Sequence, residues 1–264
     1  MPGAVREDRQ SPSTAEATKI EDDILEFMDR RLIEEVLGSV RPGKEADLYV
    51  CRAGPEAGHR LLAAKVYRER SRRGFRAEET YLEGRADLRR GRAALGSVAR
   101  AVARRSTAGK ALLSEIWVRR EYEVLRRLFA EGVPVPRPVA CTARAVLMEY
   151  LGDEAEAAPR LIDAVLAPDD AWRIRAELLD LVERCLAVGL IHGDLSAYNV
   201  LLFGGRPYVI DWPQAVDAAV HPGAEALLAR DVRNLTRHFA RYGCPDDGPG
   251  RALDLWDRWR RGQL

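Results

Sequence analysis

The sequence predicts an α+β fold of two lobes, in which a small antiparallel sheet lobe at residues 20–150 precedes a mainly helical lobe at 151–264. The first half contains short apolar runs divided by Gly and Pro turns, which is typical of antiparallel strands. The second half contains long apolar stripes at helical spacing. With 264 residues, of which 47% are hydrophobic and 31% charged, the chain can bury a full core.

The first lobe follows a stretch at residues 1–19 that mixes Pro, Ser, Thr, Gln and charge without periodicity. This composition predicts a disordered tail. Order is expected from Ile20, where the first helical stripe begins. The predicted elements of the lobe, in chain order, are a helix at 20–31, strands at 32–40, 46–52 and 61–67, a helix at 110–131, and strands at 138–142 and 145–150.

The second lobe begins after Gly152, where the helical periodicity becomes strong. Two short apolar runs at 199–203 and 208–211 interrupt it, and the Gly and Pro residues between them predict a β-hairpin. Trp256 and Trp259 are expected to anchor a last amphipathic helix to the core. The predicted helices are at 169–188, 224–242 and 253–260.

Membrane and disulfide classes are not favoured by this sequence. No apolar run approaches the roughly 18 residues that cross a bilayer, so we expect a soluble, cytoplasmic protein without membrane contact. The four cysteines, at 51, 141, 185 and 244, lack the close pairs of zinc sites and the density of disulfide scaffolds. They are interpreted as reduced thiols.

The segment at residues 191–202 carries the strongest chemical signal. It places Asp194 and Asn199 between two apolar runs. A hairpin with a three- or four-residue loop would bring Asn199 opposite Asp211 or Trp212. Two hard oxygen ligands so close together suit Mg²⁺. Asp194, on the loop before them, would then orient or deprotonate an attacking hydroxyl, which is what phosphoryl transfer requires.

A cation for the phosphates is predicted at Lys65, within an apolar strand. Lysine occurs only at positions 19, 44, 65 and 110, whereas every other basic residue is Arg, so each Lys is a candidate for a role that needs a compact ammonium. Such a Lys needs a carboxylate to hold it extended. Glu121 is our choice because it falls at helical spacing from Trp117 and Leu125, although a lone Glu on a helix is usually solvated.

The turn at residues 38–45 matches Gly-x4-Gly-Lys of a Walker loop only superficially. Glu45 stands where the magnesium-binding Ser or Thr belongs, and a strand rather than a helix follows. The alternative is a turn whose backbone N–H groups cover nucleotide phosphates. An ordinary hairpin turn stays open as the simpler interpretation. The residues assigned to nucleotide binding are Gly43, Lys44, Glu45 and Ala46.

Arginine is concentrated between Arg68 and Arg105, a segment that contains 12 Arg and 5 acidic residues. We predict that residues 70–109 form a mobile insertion. A solvated loop and a contact for RNA or another acidic partner are both compatible with this composition. The sequence has no base-stacking motif that would decide between them.

These residues, in this order, resemble the RIO family of atypical serine/threonine kinases, most closely its first branch. The resemblance covers about residues 32–243. The matching stretches are Gly43 to Ala46, Lys65-Val66-Tyr67, Phe75 with Tyr81-Leu82, Trp117 with Glu121, Val146 to Tyr150, His192 to Ser196 with Tyr198-Asn199, Ile210-Asp211 with Gln214 to Val216, His221-Pro222 and Arg230 to Asn234.

The resemblance implies a protein-kinase-like fold with a reduced C-terminal lobe, and ATP- and Mg²⁺-dependent phosphotransfer or ATP hydrolysis. Asp194 would be the catalytic aspartate, Asn199 and Asp211 the metal ligands, and Lys65 the phosphate anchor paired with Glu121. An aspartyl-phosphate on Asp211 is also implied. His192 is expected to support the catalytic loop rather than to carry a proton.

The resemblance also implies an adenine-reading hinge and a partner. The hinge residues would be Glu149, Tyr150 and Leu151. The acceptor would be an unknown protein or the chain itself, and the family's role in ribosome assembly would make RNA or a ribosomal precursor a partner of the Arg-rich insertion. Only 12 residues separate Asp211 from Ala224, which leaves no room for a long activation segment.

Two departures from the family pattern concern the local backbone. Val40-Arg41-Pro42 stands where a Ser/Thr pair is usual, and Trp212-Pro213 replaces smaller residues. Two other functions stay open at this point. One is a small-molecule kinase of the aminoglycoside or choline type, and the other is a slow ATPase switch that acts by binding.

Overall fold

The computed structural model describes residues 14–40, 46–58, 60–68 and 107–264. Residues 1–13 of the predicted tail at 1–19, the turn residues Gly43, Lys44 and Glu45, and residues 69–106 of the Arg-rich segment lie outside them. For these residues, the predictions of a disordered tail, a phosphate-covering turn and a mobile insertion that contacts RNA stay predictions. Residues 107–109, which were assigned to the insertion, instead begin a helix.

The first lobe is a five-stranded antiparallel sheet with one helix on each face. The strand order is β1-β2-β3-β5-β4. Strand β3 therefore lies in the middle of the sheet, between β2 and β5. The elements are α1 (Thr14–Asp29), β1 (Ile33–Val40), β2 (Ala46–Ala53), β3 (Leu61–Tyr67), α2 (Thr107–Ala130), β4 (Pro138–Cys141) and β5 (Ala145–Glu149).

Alternation along β3 divides the lobe into two hydrophobic layers. Leu62, Ala64 and Val66 pack into a cluster with Phe27 of α1. The residues between them, such as Ala63, pack into a larger cluster that continues through α2 into the second lobe. Successive strand residues point to opposite faces. Lys65 therefore shares the face of Ala63, toward α2.

Helix α1 begins at Thr14, inside the stretch that the sequence predicted to be a disordered tail. Its docking on the sheet involves a buried carboxylate. Asp23 accepts hydrogen bonds from the Thr142 hydroxyl at 2.6 Å and the Arg144 guanidinium at 3.1 Å. These partners follow β4 and precede β5, more than a hundred positions along the chain, so no local pattern marks them.

The second lobe is mainly helical, with two short two-stranded sheets. Strand β6 pairs with β9, and β7 pairs with β8, both antiparallel. Its helices pack around the larger cluster, in which Leu178, Leu186, Val232 and Phe239 are fully buried. The elements are α3 (Pro168–Ala187), β6 (Leu190–Ile191), a 3-10 turn (Ala197–Asn199), β7 (Val200–Phe203), β8 (Arg206–Val209), β9 (Val216–Asp217), α4 (Ala224–Ala240) and α5 (Gly248–Arg260).

The β7–β8 hairpin differs from prediction in its loop. Phe203 pairs with Arg206, so the loop contains two residues, Gly204 and Gly205, rather than three or four. Both glycines have positive φ, at 57° and 75°, which a tight two-residue turn requires. The shorter loop shifts the register, and Asn199 lies opposite Ile210 instead of Asp211 or Trp212.

Three smaller expectations have clear outcomes. Trp256 and Trp259 pack against the larger cluster and stack with ring centroids 4.9 Å apart, as expected of anchors for α5. The four cysteines are free thiols. Among the helices that the structure describes, none is long and apolar enough to cross a membrane.

Candidate active site

A cavity of about 690 Å³ lies between the sheet and the helical lobe. Its volume falls in the usual range for small-molecule sites. Nine residues that the sequence singled out line this one cavity, and they come from β2, β3, α2, the end of β5 and the loops around β7 and β8. They are Ala46, Lys65, Glu121, Glu149, Tyr150, Leu151, Asp194, Asn199 and Asp211.

Lys65 lies between two carboxylates. Its Nζ is 2.7 Å from Oε1 of Glu121 and 2.7 Å from Oδ1 of Asp211. Burial alone would lower the pKa of Lys65, but the opposite charges of Glu121 and Asp211 raise it well above its usual value. Lys65 is therefore charged at neutral pH. The predicted pairing of Lys65 with Glu121 is present, and the contact with Asp211 adds a third member.

Glu121 is almost completely buried, and it depends on two neighbours to which the sequence analysis gave no role. The Tyr67 hydroxyl donates a hydrogen bond to its Oε2. The backbone N–H of Trp212 lies 3.3 Å from Oε1. Burial and the Glu121 charge raise the pKa of Tyr67, so the hydroxyl stays protonated and able to donate. Tyr67 lies two residues after Lys65 on the same strand, so the two side chains share one face of the sheet. This spacing was the available sequence signal that Tyr67 contacts Glu121.

We expect Tyr67→Phe to lower ATP-dependent turnover about tenfold, because a hydrogen bond to a charged group contributes roughly 1.5–3 kcal/mol. The ring and its packing are retained, but the buried Glu121 carboxylate loses this donor, so the free energy of unfolding should fall by an amount of the same order. Steady-state turnover at varied ATP concentration, together with thermal unfolding, measures both effects. Tyr208→Phe, on the β8 strand outside this network, is the matched control. Turnover by Tyr67→Phe equal to that of the control would show that the hydroxyl does not position Glu121.

The loop that carries Asp194 is held by side chains of α4. Asp231 accepts from the Gly193 N–H at 2.7 Å and the Leu195 N–H at 2.9 Å. Asn234 donates to the Leu195 carbonyl at 3.0 Å. Burial raises the pKa of Asp231 to about 6, against the lowering effect of these two N–H groups. The sequence reasoning gave Asp231 no role, since only tertiary structure brings α4 under this loop.

Glycine is required at position 193 by both conformation and space. Its φ is 78°, and a Cβ there would lie 2.6 Å from the carbonyl oxygen of Gln214. No other residue fits a left-handed backbone in such close contact without a shift of the chain. The tight turn at Gly193 sets the direction in which the next residue, Asp194, enters the cavity.

His192 has the supporting role that the sequence predicted. Its Nδ1 accepts from the Asp194 N–H at 3.2 Å, so the neutral ring carries its proton on Nε2, which donates to the Ile210 carbonyl at 3.0 Å. Burial lowers the pKa of His192 to about 4. The ring is therefore neutral at physiological pH and links the Asp194 loop to the end of the β7–β8 hairpin.

Asn199 and Asp211 supply the candidate metal ligands. The Asn199 amide Nδ2 donates to the Asp194 carbonyl at 2.9 Å, so its Oδ1 is the atom that could bind a metal ion. Asp211 has a φ of 68°, a left-handed conformation that is uncommon outside Gly. One carboxylate and one amide oxygen fit Mg²⁺, which binds few protein ligands and completes its shell with phosphate and water. Among the described residues, no group of three or more His, Cys, Asp or Glu side chains is arranged so that it could hold a metal ion.

The predicted hinge lies at the end of β5, on the rim of the cavity. The Glu149 N–H donates to the Arg137 carbonyl at 2.8 Å, and the Leu151 carbonyl accepts from the Ala158 N–H at 2.9 Å. Tyr150 is buried beside them. Because these two backbone groups already have partners, an adenine contact at the hinge would use the neighbouring backbone groups of the segment.

Comparison with known proteins places these residues in a family. The RIO domain matches residues 47–248. Serine/threonine-protein kinase RIO1 of Chaetomium thermophilum is 32% identical over 83% of this chain and 42% of its own length. The RIO-type serine/threonine-protein kinase Rio1 of Haloferax volcanii is 35% identical over 80% of this chain and 65% of its own length.

A third relative covers a similar share of this chain. Serine/threonine-protein kinase rio1 of Schizosaccharomyces pombe is 30% identical over 84% of this chain and 42% of its own length. The chain thus spans between about two fifths and two thirds of the length of these three relatives. The domain match covers β2 to the start of α5 and contains all the described cavity residues except Ala46. On this evidence the chain belongs to the RIO family.

Proposed function

We propose that this protein is an ATP- and magnesium-dependent phosphotransferase, a serine/threonine protein kinase of the RIO type. The observation that carries the proposal is the network of Lys65, Glu121 and Asp211 in the same cavity as Asp194. Phosphoryl transfer depends mainly on positioning and on stabilising negative charge. A fixed cation, a metal-ligand pair and a separate carboxylate are the parts that such a reaction requires.

Each residue has a distinct proposed task. Lys65, held by Glu121, would bind phosphate oxygens of ATP. Asn199 and Asp211 would hold Mg²⁺, which supplies charge neutralisation on the phosphates when bound. Asp194 would orient the acceptor hydroxyl and accept its proton. Glu149, Tyr150 and Leu151 would form the adenine side of the site.

The family assignment favours this function over the small-molecule kinase that the sequence left open. A slow ATPase switch differs less from the proposed kinase than a small-molecule kinase does, because it would use the same residues without a protein acceptor. The acceptor, the contact of the Arg-rich segment with RNA or a ribosomal precursor, and the cytoplasmic location remain our predictions.

We further propose that Asp211 accepts the γ-phosphate covalently. A carboxylate oxygen of Asp211 would bond to the γ-phosphorus while the bond to the bridging oxygen breaks, and ADP would leave with that oxygen. Asp211 has 45% of its side chain exposed, in contrast to the buried Glu121, which supports access to the phosphate. Lys65 beside it would offset the repulsion between carboxylate and phosphate.

Acid-quenched reactions with γ-labelled ATP and Mg²⁺ test this step. We expect label on the protein that hydroxylamine removes, since hydroxylamine cleaves acyl phosphates and leaves phosphoserine intact. Borohydride reduction should convert the labelled aspartate to homoserine at position 211, located by mass spectrometry. EDTA should abolish labelling. Label that resists hydroxylamine and maps to Ser or Thr would contradict the aspartyl-phosphate while leaving the kinase proposal standing.

A further inference from the structure

A second cavity, of about 320 Å³, opens beside the first. Helix α2 forms one wall and the start of α4 another, and the short segment after Asp211 lies between them. Gly193, Pro213, Gln214 and Arg230 line both cavities. A molecule that occupied the second cavity would therefore reach the loop that carries Asp194.

The second cavity has a basic lining. Arg120 projects from α2, Arg230 from α4, and His221 from the segment before α4. No carboxylate is found among the described residues that line it. This lining contrasts with the first cavity, which contains Glu121, Glu149, Asp194 and Asp211. In the second cavity an anionic occupant would meet positive charges without a carboxylate among the described lining residues, whereas the first cavity is lined by four carboxylates as well as Lys65.

The two guanidinium groups are held in place by backbone carbonyls. Arg120 donates to the Ala215 carbonyl, and Arg230 donates to the Gly193 carbonyl. Each arginine therefore keeps its charge beside the cavity at little further cost in side-chain entropy. Carboxylates suit such a site because a planar guanidinium offers several N–H donors in a fixed geometry.

His221 adds a neutral donor. Burial and the nearby charge of Arg120 lower its pKa, so the ring is neutral at physiological pH. Nδ1 accepts from the Gly223 N–H at 3.1 Å, which leaves the ring proton on Nε2. The remaining wall contains apolar side chains, including Ile116, Trp117 and Leu227. A mixed wall of this kind fits side chains of a peptide better than a bare phosphate backbone.

We propose that the second cavity binds an acidic stretch of the protein acceptor, in which Asp or Glu residues lie close to the phosphorylated Ser or Thr. The inference rests on the proposed kinase function and specifies its substrate class. The volume of the second cavity is at the lower end of the range for ligand sites, which suits a short extended segment. Only 12 residues lie between Asp211 and Ala224, so this side of the site carries little structure of its own to seat an acceptor.

Direct binding of labelled peptides tests the cavity independently of catalysis. The probes are short fluorescent peptides with a central Ser flanked on both sides by Glu, Gln or Lys, titrated with and without a non-hydrolysable ATP analogue. We expect the Glu peptide to bind at least about tenfold more tightly than the Lys peptide, the scale of one charged hydrogen bond. In Arg120→Glu this ratio should fall to one or reverse. Because the ratio is taken within one protein, a general loss of affinity does not affect it.

Arg119→Glu is the matched control. Arg119 precedes Arg120 on the same helix, has 65% of its side chain exposed, pairs with Glu115 and lines neither cavity. The Arg119→Glu variant has the same change in net charge as Arg120→Glu and should keep the wild-type ratio of affinities for the Glu and Lys peptides. If Arg120→Glu does not fold, Arg120→Gln replaces it, with an expected ratio between those of the wild-type and one.

The outcomes separate the cavity from the kinase function. Equal affinity of the wild-type protein for Glu and Lys peptides would overturn the inference, as would equal effects of Arg119→Glu and Arg120→Glu. An oligouridylate that bound through Arg120 more tightly than the Glu peptide would also overturn it and identify RNA as the occupant. The Glu peptide could also bind in an Arg120-dependent manner without being phosphorylated by the protein in the presence of ATP and Mg²⁺. This result would support the inference about the second cavity and contradict the kinase proposal.

Discussion

Replacing Asp194 with Ala is expected to lower phosphotransfer about 10²-fold or more, the usual scale for losing a positioning group at the reacting centre. ATP affinity should stay within about threefold of the wild-type, or about 0.7 kcal/mol. The rate and the affinity should respond differently because, in the proposed mechanism, Asp194 orients the acceptor hydroxyl whereas Lys65 binds the phosphates. Initial rates with γ-labelled ATP and equilibrium nucleotide binding measure the two quantities.

The backbone around Asp194 should survive this substitution. The groups that fix the loop are the Asp231 carboxylate, the His192 ring and the Asn199 amide, and all of them contact backbone atoms. Loss of the Asp194 carboxylate removes none of these bonds. Asp180→Ala, at an exposed position on α3, is the control for deleting an acidic side chain. Activity of Asp194→Ala within about threefold of this control would reject the assignment.

The order of the elements and most of the site were predictable because they depend on local patterns. The apolar strand around Lys65 and the helical spacing of Glu121 from Trp117 and Leu125 indicated two faces that meet across the core. The 2.7 Å contact between Lys65 and Glu121 confirms that geometry. Likewise, the two apolar runs around Gly204 were sufficient to predict a hairpin that brings Asn199 near Asp211.

The errors and omissions concern interactions that a local pattern does not contain. The hairpin register was shifted because two glycines can close the turn alone, and the sequence did not exclude a longer loop. Asp231 lies on α4, 36 and 38 positions after the Leu195 and Gly193 N–H groups that it binds. In the sequence, Asp231 looks like any other residue of a helix. Only the fold identifies it as a support of the loop that carries Asp194.

Replacing Lys65 with Met should have the second large effect, a loss of at least about 10²-fold in phosphotransfer together with weaker ATP binding. A cation that contacts phosphate in both the ground and transition states contributes to affinity as well as rate. Lys65→Met should also lower stability, because Glu121 is buried and would lose its charged partner. Breaking a buried ion pair by removing one member typically costs about 3–5 kcal/mol.

A second substitution separates these two effects. Glu121→Gln in the Lys65→Met background removes the unpaired charge while keeping nearly the same shape, and Tyr67 and the Trp212 N–H keep hydrogen-bonding partners. We expect the double variant to recover most of the lost free energy of unfolding but none of the lost phosphotransfer. Denaturant titrations and initial rates on the wild-type, the two single variants and the double variant complete the cycle. Recovery of phosphotransfer along with stability would show that Lys65 acts only through the fold, and retention of activity by Lys65→Met alone would exclude it as the phosphate anchor.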